Sequence, residues 1–117
     1  MVNSVNWLYT RIIADDEILD LNVCDFSNFI RKLNLKNGVL TRSFIWHTKN
    51  GKKLKLTFER FLAMKNVHIG AQKISVKPLN FSGSIKVILG LDFSIKHYAY
   101  DDNFWECQNK IFEDSYL

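Results

Sequence analysis

Two alternating runs that meet at Asn50-Gly51 constrain this chain more than any other part of it. From Val39 to Thr48, Leu40, Phe44 and Trp46 fall on one face and Thr41, Ser43 and His47 on the other. Beyond the turn, Leu54, Leu56, Phe58 and Leu62 alternate with Lys53, Lys55, Thr57 and Glu59. A period of two marks strands with one buried and one wet face. Asn-Gly between such runs predicts a two-residue hairpin turn, because both central positions need φ > 0 and these residues tolerate it. The pair commits the chain to antiparallel β structure. Arg42 interrupts the apolar face and is expected near its rim.

The remaining segments extend the pattern. Trp7 to Ile13 reads as a first strand, Asp15-Asp16-Glu17 as a polar turn, and Ile18 to Val23 as a short returning partner. Phe26 to Leu35 is ambiguous. Phe26, Ile30 and Leu33 could line a helical face capped by Asp25, but Phe and Ile are weak helix formers, so extended structure is expected. Lys36-Asn37-Gly38 is a turn. Met64 to Val67 make a connection, and His68 to Pro78 form the next strand. Its apolar phase shifts from Ile69/Ala71 to Ile74/Val76, which predicts a β-bulge near Gln72 or Lys73. Leu79 to Gly83 is a loop, and Ser84 to Asp92 alternates through Ile85, Val87, Leu89 and Leu91. Ser94 to Asn103 is polar and aromatic by turns, and Phe104 to Leu117 has room for one or two further strands. Together these make about seven or eight short antiparallel strands, the signature of an all-β sandwich or barrel.

At 117 residues the chain suits one domain. Apolar residues are 47% and aromatics 14%, enough for a packed core, and a net charge of +4 favours polyanions without demanding them. Cys24 and Cys107 lack any metal-binding or redox spacing and read as reduced, buried thiols, with a disulfide as the alternative. MVNSVNWLYTRII lacks the basic start and long apolar stretch of a signal peptide, and no apolar run approaches the ~20 residues of a membrane helix. A cytoplasmic protein is the expectation. Asn80-Phe81-Ser82 fits a glycosylation sequon and is read as a turn.

The order of several unlike pieces narrows the class. Asn6-Trp7-Leu8, the GVLTRSF string from Gly38 to Phe44, Glu59-Arg60-Phe61, and Pro78-Leu79-Asn80 with Ser82-Gly83 follow one another between about Val5 and Trp105. In this series the chain resembles the N-terminal domain of glycoside hydrolase family 65, which includes maltose, kojibiose and trehalose phosphorylases. The resemblance implies a partial antiparallel β-sandwich of the galactose-mutarotase type over residues 1–117. It also implies a catalytic (α/α)6 barrel elsewhere in the parent, where a glutamic acid protonates the leaving oxygen and inorganic phosphate replaces the attacking water. Met1 is expected to begin mid-domain. No cofactor is implied, and phosphate enters only as the parent's substrate. The missing barrel is the expected partner. Uncovered edges and apolar surface predict self-association, as a homodimer.

No residue in the chain is assigned a catalytic or metal-binding role. A glycosidase needs two carboxyls facing each other across a sugar, and Asp15, Asp16, Glu17, Asp101 and Asp102 are adjacent turn residues instead. His47, His68 and His97 each stand alone in sequence, without metal-ligand spacing. Lys49, Lys52, Lys53 and Lys55 form a basic cluster, read as solubilising the outer face of a strand rather than tracking a phosphate backbone. Flat aromatic rings can stack on a pyranose. Trp46 belongs to the core and Trp7 is expected to be packed, which leaves Trp105 as the candidate carbohydrate contact. Two alternatives to a non-catalytic scaffold domain remain open: a free-standing carbohydrate-binding module and a small basic nucleic-acid-binding β-domain.

Overall fold

The computed structural model of the chain describes residues 4–96, 105–107, 111–112 and 115–116. Its strands are β1 (Asn6–Ala14), β2 (Glu17–Ile18), β3 (Asp25–Asn34), β4 (Val39–His47), β5 (Lys53–Leu62), β6 (Gly70–Pro78), β7 (Ile85–Asp92), β8 (Ile111–Phe112) and β9 (Ser115–Tyr116). Among the described residues there is no helix. One sheet has the order β3-β4-β5-β6, a second β2-β1-β7, and β8 pairs with β9. The fold is an all-β antiparallel sandwich, one of the two architectures that the alternation left open and the one that the resemblance implied.

The chain divides into two compact units, Arg11–Val87 and a second made of Met1–Thr10 with Ile88–Leu117. The core lies in the first. Ile12 and Ala14 of β1 pack on Phe44, Trp46, Leu54, Leu56 and Phe58 of the four-stranded sheet, with Leu19, Leu21, Cys24, Ile74, Val76, Phe81 and Ile85 around them. Register explains why these side chains meet. Trp46 lies opposite Leu54 and Phe44 opposite Leu56, so the inward residues of β4 and β5 form one continuous layer. Burying each such side chain contributes roughly 1.5–3 kcal/mol. The indole N–H of Trp46 is buried with no hydrogen-bond partner, a local cost that the apolar contacts offset.

The turns depart from expectation in an instructive way. At Asn50-Gly51 the loop is three residues long. Thr48 N–H donates to the Lys52 carbonyl at 2.9 Å, Gly51 N–H donates to the Thr48 carbonyl at 2.9 Å, and only Gly51 of the loop has positive φ, at 77°. This is a type I turn followed by a left-handed glycine, not the two-residue turn expected. The two-residue form occurs instead at Asp15-Asp16, where φ is 48° and 64° and Ala14 pairs with Glu17. Aspartate tolerates the left-handed region, so charge did not prevent the tight turn.

The bulge also moved. β6 pairs with β5 without interruption from Gly70 to Pro78, so there is none at Gln72 or Lys73. Ile74 and Val76 face the core, Ala71 faces outward, and Ile69 belongs to the preceding turn, donating its N–H to Asn66. The bulge sits in β3, where the register slips between Ser27 and Ile30 and Asn28 adopts a φ of 53°. The extra residue brings Phe26 and Phe29 to the same face, their rings 5.8 Å apart. Phe26 and Leu33 lie on the inner face and Ile30, opposite Ser43, on the outer one, so the three do not share a face and the segment is extended, as expected.

Candidate functional site

The inner face of the four-stranded sheet is sealed at one end and open at the other. At the sealed end Trp46 and Leu54 have no exposed surface. Toward the other end Phe29 is 46%, Leu33 54% and Leu62 67% exposed. Phe26, Phe29 and Phe58 surround Phe44 at centroid distances of 6.0–6.1 Å, forming an aromatic row from edge to centre.

Three arginines occupy this open end. Arg31 is the register partner of Arg42, Arg42 lies opposite Phe58, and Arg60 follows two residues after Phe58. Even spacing along β5 therefore puts Arg60 on the same face. The Arg42 guanidinium sits 4.7 Å from the Phe58 ring centre and 6.0 Å from that of Phe44. Burial pulls its pKa below the ordinary arginine value, and the charges of Arg60 and Arg31 pull it the same way. Among the described residues no carboxylate pairs with any of the three. Glu59 is spent on the outer face, where it meets Lys73 at 3.6 Å.

The opposite face carries a shallow depression of about 250 Å³ lined by Val39, Glu59, Phe61, Ala71, Gln72 and Lys73. The lysine cluster is dispersed rather than concerted. Lys52 pairs with Asp15 and lies 4.8 Å from the centre of the Phe81 ring. Lys49 N–H donates to Glu17 at 2.8 Å. Asn80 clamps the loop below: its side chain accepts from Lys53 N–H at 2.7 Å and donates to the Gly51 carbonyl at 2.9 Å. That clamp has no local sequence signature, because Asn80 and Gly51 are far apart along the chain.

The other candidate groups scatter. His47 bonds Ser27 Oγ at 2.7 Å across β3 and β4. His68 N–H donates to Asn66 in a turn. His97, Asp101 and Asp102 lie outside the described residues. No group of three or more potential metal ligands occurs among the described residues. Cys24 is a free thiol. Cys24 is half-buried against the core, whereas Cys107 is exposed, contrary to the expectation that both are buried. Partial burial raises the Cys24 pKa, with Asp20 and Glu17 adding to the rise against two backbone hydrogen bonds, so the thiol stays protonated. Trp46 is wholly buried, Trp7 is 37% exposed at the start of β1, and Trp105 is 39% exposed. The boundary position of Trp7 exposes its ring more than packing in a strand suggested.

The described residues form an antiparallel β-sandwich, and comparison places it. Residues 1–116 match the sequence model of the glycosyl hydrolase family 65 N-terminal domain. The chain belongs to that family, within its N-terminal domain. Kojibiose phosphorylase of Halothermothrix orenii is 30% identical over 117 residues, 98% of this chain and 15% of the relative. α,α-Trehalose phosphorylase of Thermoanaerobacter brockii is 25% identical over 97 residues, 83% of this chain and 12% of the relative. A solved structure assigned to a kojibiose phosphorylase from the human microbiome superposes with a TM-score of 0.89 at 35% identity, covering 98% of this chain and 15% of that one. The chain thus spans about one-seventh of the length of these proteins.

Proposed function

We propose that this sandwich is a non-catalytic scaffold piece of a family 65 disaccharide phosphorylase or hydrolase. In the parent it packs beside a catalytic barrel that performs inverting phosphorolysis of an α-glucoside with inorganic phosphate. The observation that carries the reading is the match over residues 1–116 to the family's N-terminal domain, combined with the lack, among the described residues, of two carboxyls facing across a cleft. Relatives named for kojibiose and for trehalose share this segment, which supports a choice of disaccharide made elsewhere in the parent. Incubating the chain with kojibiose, maltose or trehalose plus phosphate should release no glucose 1-phosphate. Turnover above the buffer blank ends the reading.

Self-association through the edges β3 and β6 belongs to the same proposal. β6 is blunted by Lys73, Lys77 and Pro78, which leaves β3 as the better edge. Sedimentation velocity should show a dimer, and a monomer at high concentration removes this element. A second reading, carbohydrate contact, rests on the exposure of Trp105 at 39%. Maltose should then shift tryptophan emission in the natural chain and leave Trp105→Ala unchanged.

A further inference from the structure

We infer that the open end of the inner sheet face, marked by Arg31, Arg42 and Arg60, is a docking surface for an acidic, amphipathic polypeptide segment. Three guanidiniums share a face whose other residues at that end include the apolar Phe29, Leu33, Leu40 and Leu62, with Gln72 a further polar side chain opposite Arg60. Such a surface asks for two things at once, apolar side chains to cover half-exposed rings and carboxylates to meet the cations. The carboxylates of unit Arg11–Val87 are engaged or placed elsewhere. Asp15 pairs with Lys52, Asp16 lies in the β1–β2 turn, Glu17 caps Lys49 N–H, Asp20 holds Asn22, Glu59 meets Lys73 on the far face, and Asp25 lies opposite His47 at the sealed end of β3.

Charge selects the occupant. A second copy laid face to face would set two arginine triplets against each other across a two-fold axis, a like-charge contact in a partly dry interface. A purely apolar strand or helix would bury Arg42 deeper with no counter-charge. A carboxylate opposite Arg42 satisfies a guanidinium already held in place by Phe58 beneath it, so little side-chain freedom remains to be lost on binding. That the segment comes from the rest of the same polypeptide rests on the scaffold reading; that the surface takes an acidic segment does not.

The test uses the chain as it stands and a synthetic amphipathic peptide with leucine on one face and glutamate along its border. Tryptophan emission, reporting on Trp46, verifies folding of each variant. The expected result is saturable binding that weakens by about tenfold or more in Arg31→Glu and in Arg60→Glu, survives in Arg42→Lys, and is unchanged in Lys53→Glu and Lys55→Glu on the opposite face. Replacing every peptide glutamate by glutamine should abolish it. Equal binding of the glutamine peptide, indifference to Arg31→Glu and Arg60→Glu, or tighter binding of a single-stranded DNA oligonucleotide than of the peptide overturns the inference. An inert chain that ignores the peptide loses the docking surface and keeps the scaffold reading. A chain that binds the peptide and also releases glucose 1-phosphate does the reverse.

Discussion

The two ends of one sheet face follow the same sequence rule and reach opposite outcomes. At the sealed end, β4 and β5 present Trp46, Phe44, Leu54 and Leu56 to Ile12 and Ala14, and all are buried. A few residues along the same strands, inward positions are filled by Leu40, Arg42, Arg60 and Leu62, and β3 adds Phe29, Arg31 and Leu33. Leu33 and Leu62 are more than half exposed there. Alternation assigns a side chain to a face, but only a second layer turns that face into a core. Arginines on the open end fit a surface that is apolar in periodicity and polar in partnership.

The comparison is broken most decisively by truncation. Leu56→Ala, at no exposed surface, should cost about 2–5 kcal/mol, whereas Leu62→Ala on the same face of the same strand should cost less than about 0.5 kcal/mol. Urea midpoints for the two variants measure this, and equal losses would mean that the open end is covered in solution. Next in size is the Asn80 clamp, which holds the sealed end of the β4–β5 hairpin. Asn80→Ala removes one hydrogen bond to Lys53 N–H and another to the Gly51 carbonyl and should lower stability by roughly 1–2 kcal/mol. Gly51→Ala follows, at about 1 kcal/mol. An added methyl at Gly51 meets nothing within 4 Å, so the loss would come wholly from φ = 77°, and Gly51→Asn should recover part of it. The smallest effect concerns the turn after β7. The Ser94 side chain, then its backbone N–H, hold the Asp92 carboxyl below its ordinary value of 3.8. The stability of that turn is therefore present above this value and lost as pH falls through the lower folded pKa. Ser94→Ala should bring the Asp92 titration, followed by carboxyl NMR shifts, back toward 3.8.

Strand identity was legible because the period of two survives wherever one face is wet: β4 and β5 could be read with their faces assigned, and Trp46 could be placed in the core. One local feature misled. The phase shift before Ile74 came from one outward alanine and one turn isoleucine, which periodicity cannot tell from a bulge. In β3 the spacing of Phe26, Ile30 and Leu33 admitted a helix, weak helix propensity favoured the strand that is found, and the bulge itself left no mark in the pattern. Turn type was likewise half legible. Glycine at position 51 marked a left-handed residue, but loop length is set by which pair of the ladder closes, and here Thr48 pairs with Lys52. The arginine triplet went unnoticed because Arg31, Arg42 and Arg60 share no motif.

By itself, then, the order of residues decided an antiparallel sandwich, its family and the identity of its inward side chains, since these depend on alternation and on strings read within single strands. The tertiary structure alone decided which inward positions are buried, where the ladder slips, and that three arginines from three strands meet without a counter-charge among the described residues. Those properties arise from pairing between segments distant along the chain, and a one-residue slip in register would change every one of them.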